Sequence, residues 1–273
     1  DPSGNPIGPR KVEMLNSFGQ TIYSIEQTMT YPSQGTPTID NVWITHTLYC
    51  SDANNAGRVE EVRYPSACTS AGNYSYGTTN IDDANDAFDG WWVSSVTPGT
   101  GTVGLVRMYG YDATCKKLIS EKLRHGTSTS SNAPYWVSKS TYTGETRGGN
   151  TIYYLTAHTV YPEEDTTENG NGGDELTTTY SRTWASATSH RVVTKTTTYP
   201  AVEDDQNGPD ESKSVIEHYR YDPEHYLYYV DWTKHEDGSY SYTELGTDFM
   251  DGGKVVTTIE DVNTSMVNLT TTG

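Results

Sequence analysis

The segment from Tyr219 to Leu245, YRYDPEHYLYYVDWTKHEDGSYSYTEL, decides the fold of this chain. Large residues, mostly tyrosine, alternate with polar residues in three runs, a pattern typical of strands that bury one face. Asp222-Pro223 separates the first two runs, and the segment from His235 to Gly238 separates the second from the third. Both breaks have the composition of turns, so the segment predicts three antiparallel strands joined as successive hairpins.

The first run has the order Tyr-x-Tyr-Asp followed by leucine, and this order occurs twice in the chain. The two copies are Tyr219, Tyr221, Asp222 with Leu227, after which Gly238 closes the next turn, and Tyr109, Tyr111, Asp112 with Leu118. The order resembles the tyrosine-aspartate (YD) repeat of rearrangement-hotspot (RHS) proteins, whose unit is roughly Tyr-x-Tyr-Asp-x-x-Gly-Arg-Leu followed by a glycine turn. Both copies depart from it, since His225 replaces the glycine in one and Cys115–Lys117 replaces the Gly-Arg pair in the other.

The resemblance implies an all-β chain in which successive antiparallel hairpins form a repeat ribbon, spiral or shell. It implies a non-enzymatic scaffold in a bacterial surface or secreted protein, with other repeats, other copies of the chain or enclosed cargo as partners. Asp1–Ile7 matches the unit from its aspartate onward, so we expect a fragment that begins inside a repeat. Apart from the Asp-Pro-x-Gly order of Asp1–Gly4, the self-cleaving core segment of the family has no recognisable counterpart. A fibre is therefore as consistent with the sequence as a closed shell.

Other strands are predicted from similar runs, which end at turns or at Tyr-Pro pairs, because proline has no N–H for a ladder. Including those of the first segment, the predicted strands are Gln20–Tyr31, Trp43–Cys50, Arg58–Tyr64, Trp91-Trp92, Leu105–Tyr111, Lys117–Arg124, Pro134–Tyr142, Thr151–Tyr161, Leu176–Trp184, Arg191–Tyr199, Ser214–Asp222, Tyr226–Lys234, Tyr240–Leu245 and Lys254–Glu260. We predict one continuous hairpin array over residues 1–273, with an irregular insertion around 66–104 and acidic loops at 163–175 and 203–211. No run of residues has helical spacing.

The composition limits the type of core that the chain can form and the classes of partner that it can bind. Only 33% of the residues are hydrophobic, and the 22 Tyr and 6 Trp far outnumber the 3 Phe. Such a core is thin, wet and bonded through tyrosine hydroxyls, which suits a ribbon or shell, with an ordinary β-sandwich as the alternative. The net charge of -18 argues against binding to nucleic acid or to an anionic membrane. No apolar stretch is long enough for membrane insertion. The low lysine content and abundant Thr, Ser, Gly and Asn fit an extracellular or cell-surface location.

The three cysteines, Cys50, Cys68 and Cys115, are too few for a disulfide scaffold. A turn at residues 51–56 places Cys50 opposite Arg58 in the predicted hairpin. That register argues against a Cys50–Cys68 bond unless the following loop folds back, and the sequence leaves this bond open.

Motifs for catalysis are weak. The seven histidines lack the His-Glu-x-x-His spacing of a zinc protease, and no Gly-x-Ser-x-Gly elbow is present. The glycines at 99, 101 and 104 match a dinucleotide fingerprint but precede a predicted strand rather than the helix that phosphate binding needs. We therefore predict no enzyme and no cofactor. The one ion that the sequence could bind is calcium, since five side chains with oxygen ligands lie close together in the sequence at Asp82, Asp83, Asn85, Asp86 and Asp89. Charge runs of this kind are, however, usually solvated.

The alternative function is a carbohydrate-binding or adhesive module. Trp91, Trp92, Tyr135 and Trp136 are adjacent aromatic pairs, and an exposed aromatic ring can stack on the apolar face of a sugar. Burial in the core or between repeats is the competing explanation for these residues. Surface glycans are the partners of this alternative.

Overall fold

The computed structural model describes residues 10–30, 38–68, 74–76, 91–93, 104–125, 133–164, 166, 175–201, 211–223, 226–247 and 254–260. These residues form sixteen strands and one turn of 3-10 helix at Pro65–Ala67. The strands are β1 Arg10–Leu15, β2 Thr21–Thr30, β3 Thr38–Tyr49, β4 Val59–Arg63, β5 Tyr74–Tyr76, β6 Trp91–Val93, β7 Leu105–Tyr111, β8 Leu118–His125, β9 Tyr135–Arg147, β10 Asn150–Val160, β11 Leu176–Trp184, β12 Val192–Thr198, β13 Ser214–Asp222, β14 Leu227–Lys234, β15 Tyr240–Thr247 and β16 Lys254–Ile259.

Fourteen of these strands form one antiparallel sheet, and their order in the sheet follows their order in the chain. The short strands β5 and β6 form a separate pair. The prediction of an all-β chain of successive antiparallel hairpins is therefore confirmed. By its internal contacts the chain divides into two compact units, residues 1–137 with 164–170 and residues 138–163 with 171–273.

Most strand boundaries agree with the prediction to within a few residues, and the differences have local causes. Strands β1, which follows three prolines, and β5 were not predicted from the sequence, and β3 was predicted to begin at Trp43 instead of Thr38. It ended β9 at Tyr142, whereas the strand continues to Arg147 and turns through Gly148 and Gly149 with φ of 51° and 84°. A two-residue turn of this kind needs positive φ at both positions, which glycine adopts at little cost.

The first unit has a small apolar core between its first strands. Ile25 of β2 lies opposite Ile44 of β3, and both are buried, with Met14, Tyr23 and Cys68 packed against them. Cys50 pairs with Arg58 through their backbones, as the register predicts. The three thiols are free, so the disulfide that the sequence left open is not formed in this structure.

Few side chains are buried in the described part of the second unit, and polar ones are among them. Its buried residues are Tyr161, Thr197 and Asp231. Hydroxyl pairs link neighbouring strands, including Thr159 with Thr177 at 2.8 Å and Thr183 with Thr194 at 2.6 Å. Cross-strand pairs of this kind contribute to the stability of a sheet. No helix in the described ranges is long and apolar enough to cross a membrane.

Candidate functional site

The aspartate of the Tyr-Asp motif builds a hairpin turn. The Asp112 carboxylate accepts hydrogen bonds from the backbone N–H groups of Thr114 and Cys115 at 2.8 and 2.7 Å. The backbone N–H of Asp112 also donates to the carbonyl of Lys117 at 2.9 Å, which closes the loop. These bonds, led by the one from Cys115, hold the pKa of Asp112 below its usual value. The motif aspartate is therefore a turn-forming residue.

The second tyrosine of the same motif ties its strand to the preceding strand in the sheet. The Tyr111 hydroxyl at the end of β7 donates to the carbonyl of Val59, the first residue of β4, at 2.8 Å. A β-bulge between Gly110 and Tyr111 precedes it, and bulges of this kind change the direction of the following side chain. The Arg58 guanidinium lies 5.2 Å from the centroid of the Tyr111 ring. We call this combination a hairpin end: a turn formed by an aspartate and a tyrosine hydroxyl that bonds a backbone carbonyl of the neighbouring strand.

The sequence analysis missed a second hairpin end of this kind, at the β3–β4 turn. Tyr49, which also follows a bulge, donates its hydroxyl to the carbonyl of Thr21 at the start of β2, at 2.9 Å. In the following loop, the Asp52 carboxylate accepts from the N–H groups of Asn54 and Asn55 at 2.9 Å each. Two residues separate Tyr49 from Asp52, which hides the similarity from a search for adjacent Tyr and Asp.

The Asp222 copy shares with the Asp112 copy the spacing across its turn and a residue with positive φ at the same place, but a different tyrosine bonds the neighbouring strand. Asp222 pairs with Leu227, and Asp112 pairs in the same way with Lys117. In each turn the residue directly before the second partner has positive φ, 51° at Tyr226 and 59° at Lys116. In the Asp112 copy the residue with positive φ is Lys116. The glycine of the repeat that this motif resembles would stand one position earlier, at Cys115. His225, the corresponding residue of the other copy, lies outside the described residues.

The tie in this second copy comes from the following strand. The Tyr228 hydroxyl of β14 donates to the carbonyl of Val192 on β12, and its ring stacks on that of Tyr219 at 5.4 Å and 15°. Tyr221, which corresponds to Tyr111, instead lies under the guanidinium of Arg191, whose Cζ is 5.7 Å from the ring centroid. The two copies thus share the spacing of the turn and its positive φ, and they use different tyrosines to join neighbouring strands.

Gly238, the remaining motif residue, has φ of 86° in the turn between β14 and β15. His235 closes this turn through a 2.8 Å bond from its N–H to the carbonyl of Ser239. The Asp237 carboxylate accepts the N–H of Ser239 at 2.9 Å. Asn16 repeats the arrangement in the β1–β2 turn, where its side-chain oxygen accepts from the N–H groups of Phe18 and Gln20 at 3.0 Å each. Four described turns thus combine an Asp or Asn at their start, namely Asn16, Asp52, Asp112 or Asp222, with positive φ near their end. The turn at Gly238 differs, because it starts at His235 and has its Asp237 directly before the glycine.

Sequence reasoning also missed a charged and aromatic network on β9–β11. The Arg147 guanidinium bonds the Glu145 carboxylate at 2.6 Å and lies 4.2 Å from the ring centroid of Trp184. Tyr154 donates to the same carboxylate at 2.6 Å, and Arg182 lies 4.8 Å above the Tyr154 ring. The hydrogen bond from Tyr154, with that from Arg147 second, lowers the pKa of Glu145. The Glu-x-Arg spacing on one strand face is the sequence signal that could have indicated this network.

A histidine of the first unit is held neutral beside an arginine. The ring of His46 on β3 packs against that of Tyr23, with the centroids 4.5 Å apart and the planes tilted by 31°, and the Arg63 guanidinium lies 3.3 Å from the His46 Nδ1. Burial, with the charge of Arg63 second, lowers the pKa of His46 from 6.5 to about 4. At neutral pH the imidazole therefore carries no charge, and Glu61 provides the carboxylate partner of Arg63 at 2.5 Å.

The second unit contains a buried histidine–carboxylate pair. His218 Nδ1 lies 3.5 Å from Asp231, with 13% and 11% of the two side chains exposed, and Trp232 stacks on the imidazole at 5.1 Å. Such a pair can orient a proton, but a reaction also needs a nucleophile or substrate contact. Neither side chain bonds a serine, threonine or cysteine among the described residues, so the geometry supports a polar core pair.

The four aromatic residues predicted to contact glycans are not gathered into one described surface. Trp91 and Trp92 lie on β6, where they pair with Tyr76 and Ser75, and their side chains lie outside the description. Tyr135 packs edge-on against His125 at 5.6 Å. The ammonium of Lys122 lies 3.7 Å from the Trp136 ring centroid and so occupies one face of that ring. Glycan contact by these residues stays a prediction.

The acidic cluster of residues 82–89 lies outside the described residues, as do most of the loops at 163–175 and 203–211. Within the part of the chain that the structure describes, no three His, Cys, Asp or Glu side chains converge in a way that could hold a metal ion. The calcium hypothesis therefore stays untested.

Comparison with known proteins assigns no family to this arrangement. No protein-family model matches the chain, and no curated protein matches it at a significant level.

Proposed function

We propose that this chain is a non-enzymatic structural segment made of β-hairpin repeats. In this proposal it belongs to an extracellular or cell-surface protein of the RHS/YD-repeat kind and acts as a scaffold, a fibre or an encapsulating shell. The observation that carries the proposal is the recurrent hairpin end, in which Asp or Asn forms the turn and a tyrosine hydroxyl ties neighbouring strands together. Asp112 with Tyr111 and Asp52 with Tyr49 are the two best matches.

The way the strands contact one another also favours a structural array. The described strand–strand contacts join neighbours in the sheet, where each hairpin covers part of the next. In repeat proteins such nearest-neighbour contacts supply most of the stability, and further units can be added without redesigning a central core. The small number of buried side chains among the described residues is consistent with this design.

The partners in this proposal are other repeats of the same protein or other copies of the chain, with enclosed cargo if the assembly closes. The net charge of -18 favours solubility and disfavours partners rich in phosphate. Tyrosine-rich strands with paired threonines suit an exposed surface that has to remain hydrated on at least one face.

Electron cryo-microscopy of the purified protein, together with sedimentation velocity, tests the proposal. We expect particles in which the sheet continues from one copy to the next, as an open fibre or a closed shell, and sedimentation that depends on protein concentration. Compact monomers at every concentration, with an isolated core and a cleft, would contradict the scaffold function and favour a ligand-binding module.

A further inference from the structure

An exposed tyrosine cluster lies at the β13–β14 hairpin of the second unit. Tyr221 and Tyr228 face each other across the hairpin, and Tyr226 is in the turn. Their exposed fractions are 38%, 40% and 84%. Single exposed aromatic residues are ordinary, but several on one short hairpin form a patch of the kind that binds ligands or partners.

The rings of this cluster are held in place from below. The Tyr228 hydroxyl is bonded to the Val192 carbonyl and its ring stacks on Tyr219, so the ring cannot turn freely. The ring of Tyr221 is covered in part by the Arg191 guanidinium. A ligand would therefore meet ordered aromatic surfaces, which lowers the entropy lost on binding.

The loop that carries Arg191 is also fixed. Its ends are closed by a 3.0 Å bond from the N–H of Ala185 to the carbonyl of Arg191. Arg147 donates to the carbonyl of Ser186 at 3.0 Å, and the His190 ring bonds the carbonyl of Arg147 at 2.7 Å. The position of Arg191 is thus tied to the adjacent β9–β10 turn.

No carboxylate among the described residues pairs with Arg191, in contrast to two other cations of this unit. Arg147 is paired with Glu145, and Lys195 is paired with Glu217 at 2.7 Å. Among the described residues the guanidinium of Arg191 contacts the Tyr221 ring and no carboxylate, so it can pair with an anionic ligand.

The backbone of Tyr226 supplies an independent indication. Its φ of 51° is a conformation that a bulky residue adopts at a cost, and that glycine or asparagine would adopt more easily. The tyrosine side chain gains no compensating burial, because it is the most exposed member of the cluster. A strained, exposed aromatic residue of this kind is a reason to look for a binding function.

We propose that Arg191, Tyr221, Tyr226 and Tyr228 form a binding site for an acidic saccharide, one that carries a uronic or sialic acid carboxylate. The apolar face of the sugar ring stacks on the tyrosine rings, and the carboxylate pairs with the Arg191 guanidinium. The phenol groups of Tyr221 and Tyr226 contribute hydrogen bonds to sugar hydroxyls. The charge of Arg191 selects acidic over neutral saccharides, and a single guanidinium does not suit the closely spaced phosphates of nucleic acid, which need clustered Lys and Arg.

Saturation-transfer NMR and calorimetric titration of the purified protein test this site with two acidic probes, trigalacturonate and 3'-sialyllactose. The matched neutral probes are the methyl ester of trigalacturonate and lactose. We expect at least one acidic probe to bind, and its neutral counterpart to bind about tenfold more weakly or not at all. Absence of binding by both acidic probes, or equal binding by the neutral ones, would overturn the proposal.

Variants test whether the saccharide binds at the proposed site. Arg191→Ala and Tyr221→Ala should each weaken binding by about tenfold, and Arg191→Lys should weaken it less because the charge remains. Trp43→Ala, which removes an exposed aromatic side chain from the other unit, should leave the affinity unchanged. Unchanged affinity in both Arg191→Ala and Tyr221→Ala, with thermal unfolding like that of the parent protein, would show that the saccharide binds elsewhere and would also contradict the proposal.

Discussion

Tyr49 and Tyr111 occupy corresponding positions at the ends of two strands, and each uses its hydroxyl to bond a backbone carbonyl of a neighbouring strand. A phenylalanine at either position could bury the same ring but could not make this bond. That difference explains why a chain with so few apolar residues uses tyrosine where other β proteins use phenylalanine.

The bond made by Tyr111 should be measurable. We expect Tyr111→Phe to lower the free energy of unfolding by about 1 kcal/mol, because the carbonyl of Val59 loses its partner. Tyr226→Phe is the matched control, since the Tyr226 ring is exposed and should contribute about 0.5 kcal/mol or less. Urea unfolding of the two variants measures both values, and equal losses would contradict a specific role for the Tyr111 hydroxyl.

His46 should make stability depend on pH. Its pKa is about 4 in the folded chain and 6.5 as the ordinary value, so the unfolded chain binds a proton first as the pH falls. Stability is therefore retained above pH 6.5 and lost progressively between 6.5 and 4. Because the ring is only half-buried, we expect a contribution of about 1 to 2 kcal/mol after solvent screening.

His46→Asn isolates this contribution from that of the carboxylates. Urea unfolding of the parent and the variant at pH 7.5 and pH 4.5 should show a smaller loss on acidification in the variant. The same loss in both proteins would mean that other groups cause the pH dependence.

Sequence reasoning placed the motif residues at hairpin ends and could not tell what each side chain does there. Tyr111 and Tyr221 have the same place in the motif, yet one bonds a strand and the other lies under Arg191. The outcome depends on cross-strand neighbours, which a single sequence does not specify. The same limit hid Tyr49, because its loop is longer.

Turns are the elements that repeat most faithfully, and Asp112 should be essential to one of them. Asp112→Ala removes the acceptor of two backbone N–H groups and should lower the melting temperature by about 2 °C or more. Asp112→Asn retains a side-chain oxygen and should have less effect. Differential scanning calorimetry compares the two variants, and an equal decrease would indicate that charge matters more than the turn bonds.

Replacement of Lys116 by glycine should stabilise the folded chain. Its left-handed conformation costs roughly 1 to 2 kcal/mol, whereas glycine loses about 0.5 to 1 kcal/mol of backbone entropy on folding. Lys116→Gly should therefore raise the free energy of unfolding by up to about 1 kcal/mol.

Lys116→Ala is the control for this change, because alanine keeps the strain and should bring no gain. Urea unfolding of both variants distinguishes the two results. A loss of stability in Lys116→Gly would show that the bond from the Lys116 ammonium to the carbonyl of Ala113 outweighs the strain.

The elements that the sequence predicted best are those with alternating tyrosine and an unambiguous turn, such as β13 and β14. Its errors fall where the pattern is irregular. β9 was ended too early because Gly144 and the polar residues after it look like a loop, although they pair with β10. β1 was missed because its charged residues follow a proline-rich entry.

At the scale of the molecule, the pattern of strands and turns correctly indicated antiparallel hairpins that follow one another. It did not indicate the two compact units into which the chain divides by its internal contacts. In the proposed array, each hairpin is stabilised mainly by its neighbours. Such an array should respond to damage locally, whereas a single cooperative core responds throughout.

Hydrogen exchange followed by mass spectrometry, on the parent protein and on Val106→Ala, tests this account most directly. Val106 on β7 is fully buried, and its truncation should cost about 2 kcal/mol. We predict faster exchange in β4, β7 and β8, with rates in β13 and β14 unchanged. An equal increase of exchange in all these strands would contradict the array and would show that the chain unfolds as one cooperative domain.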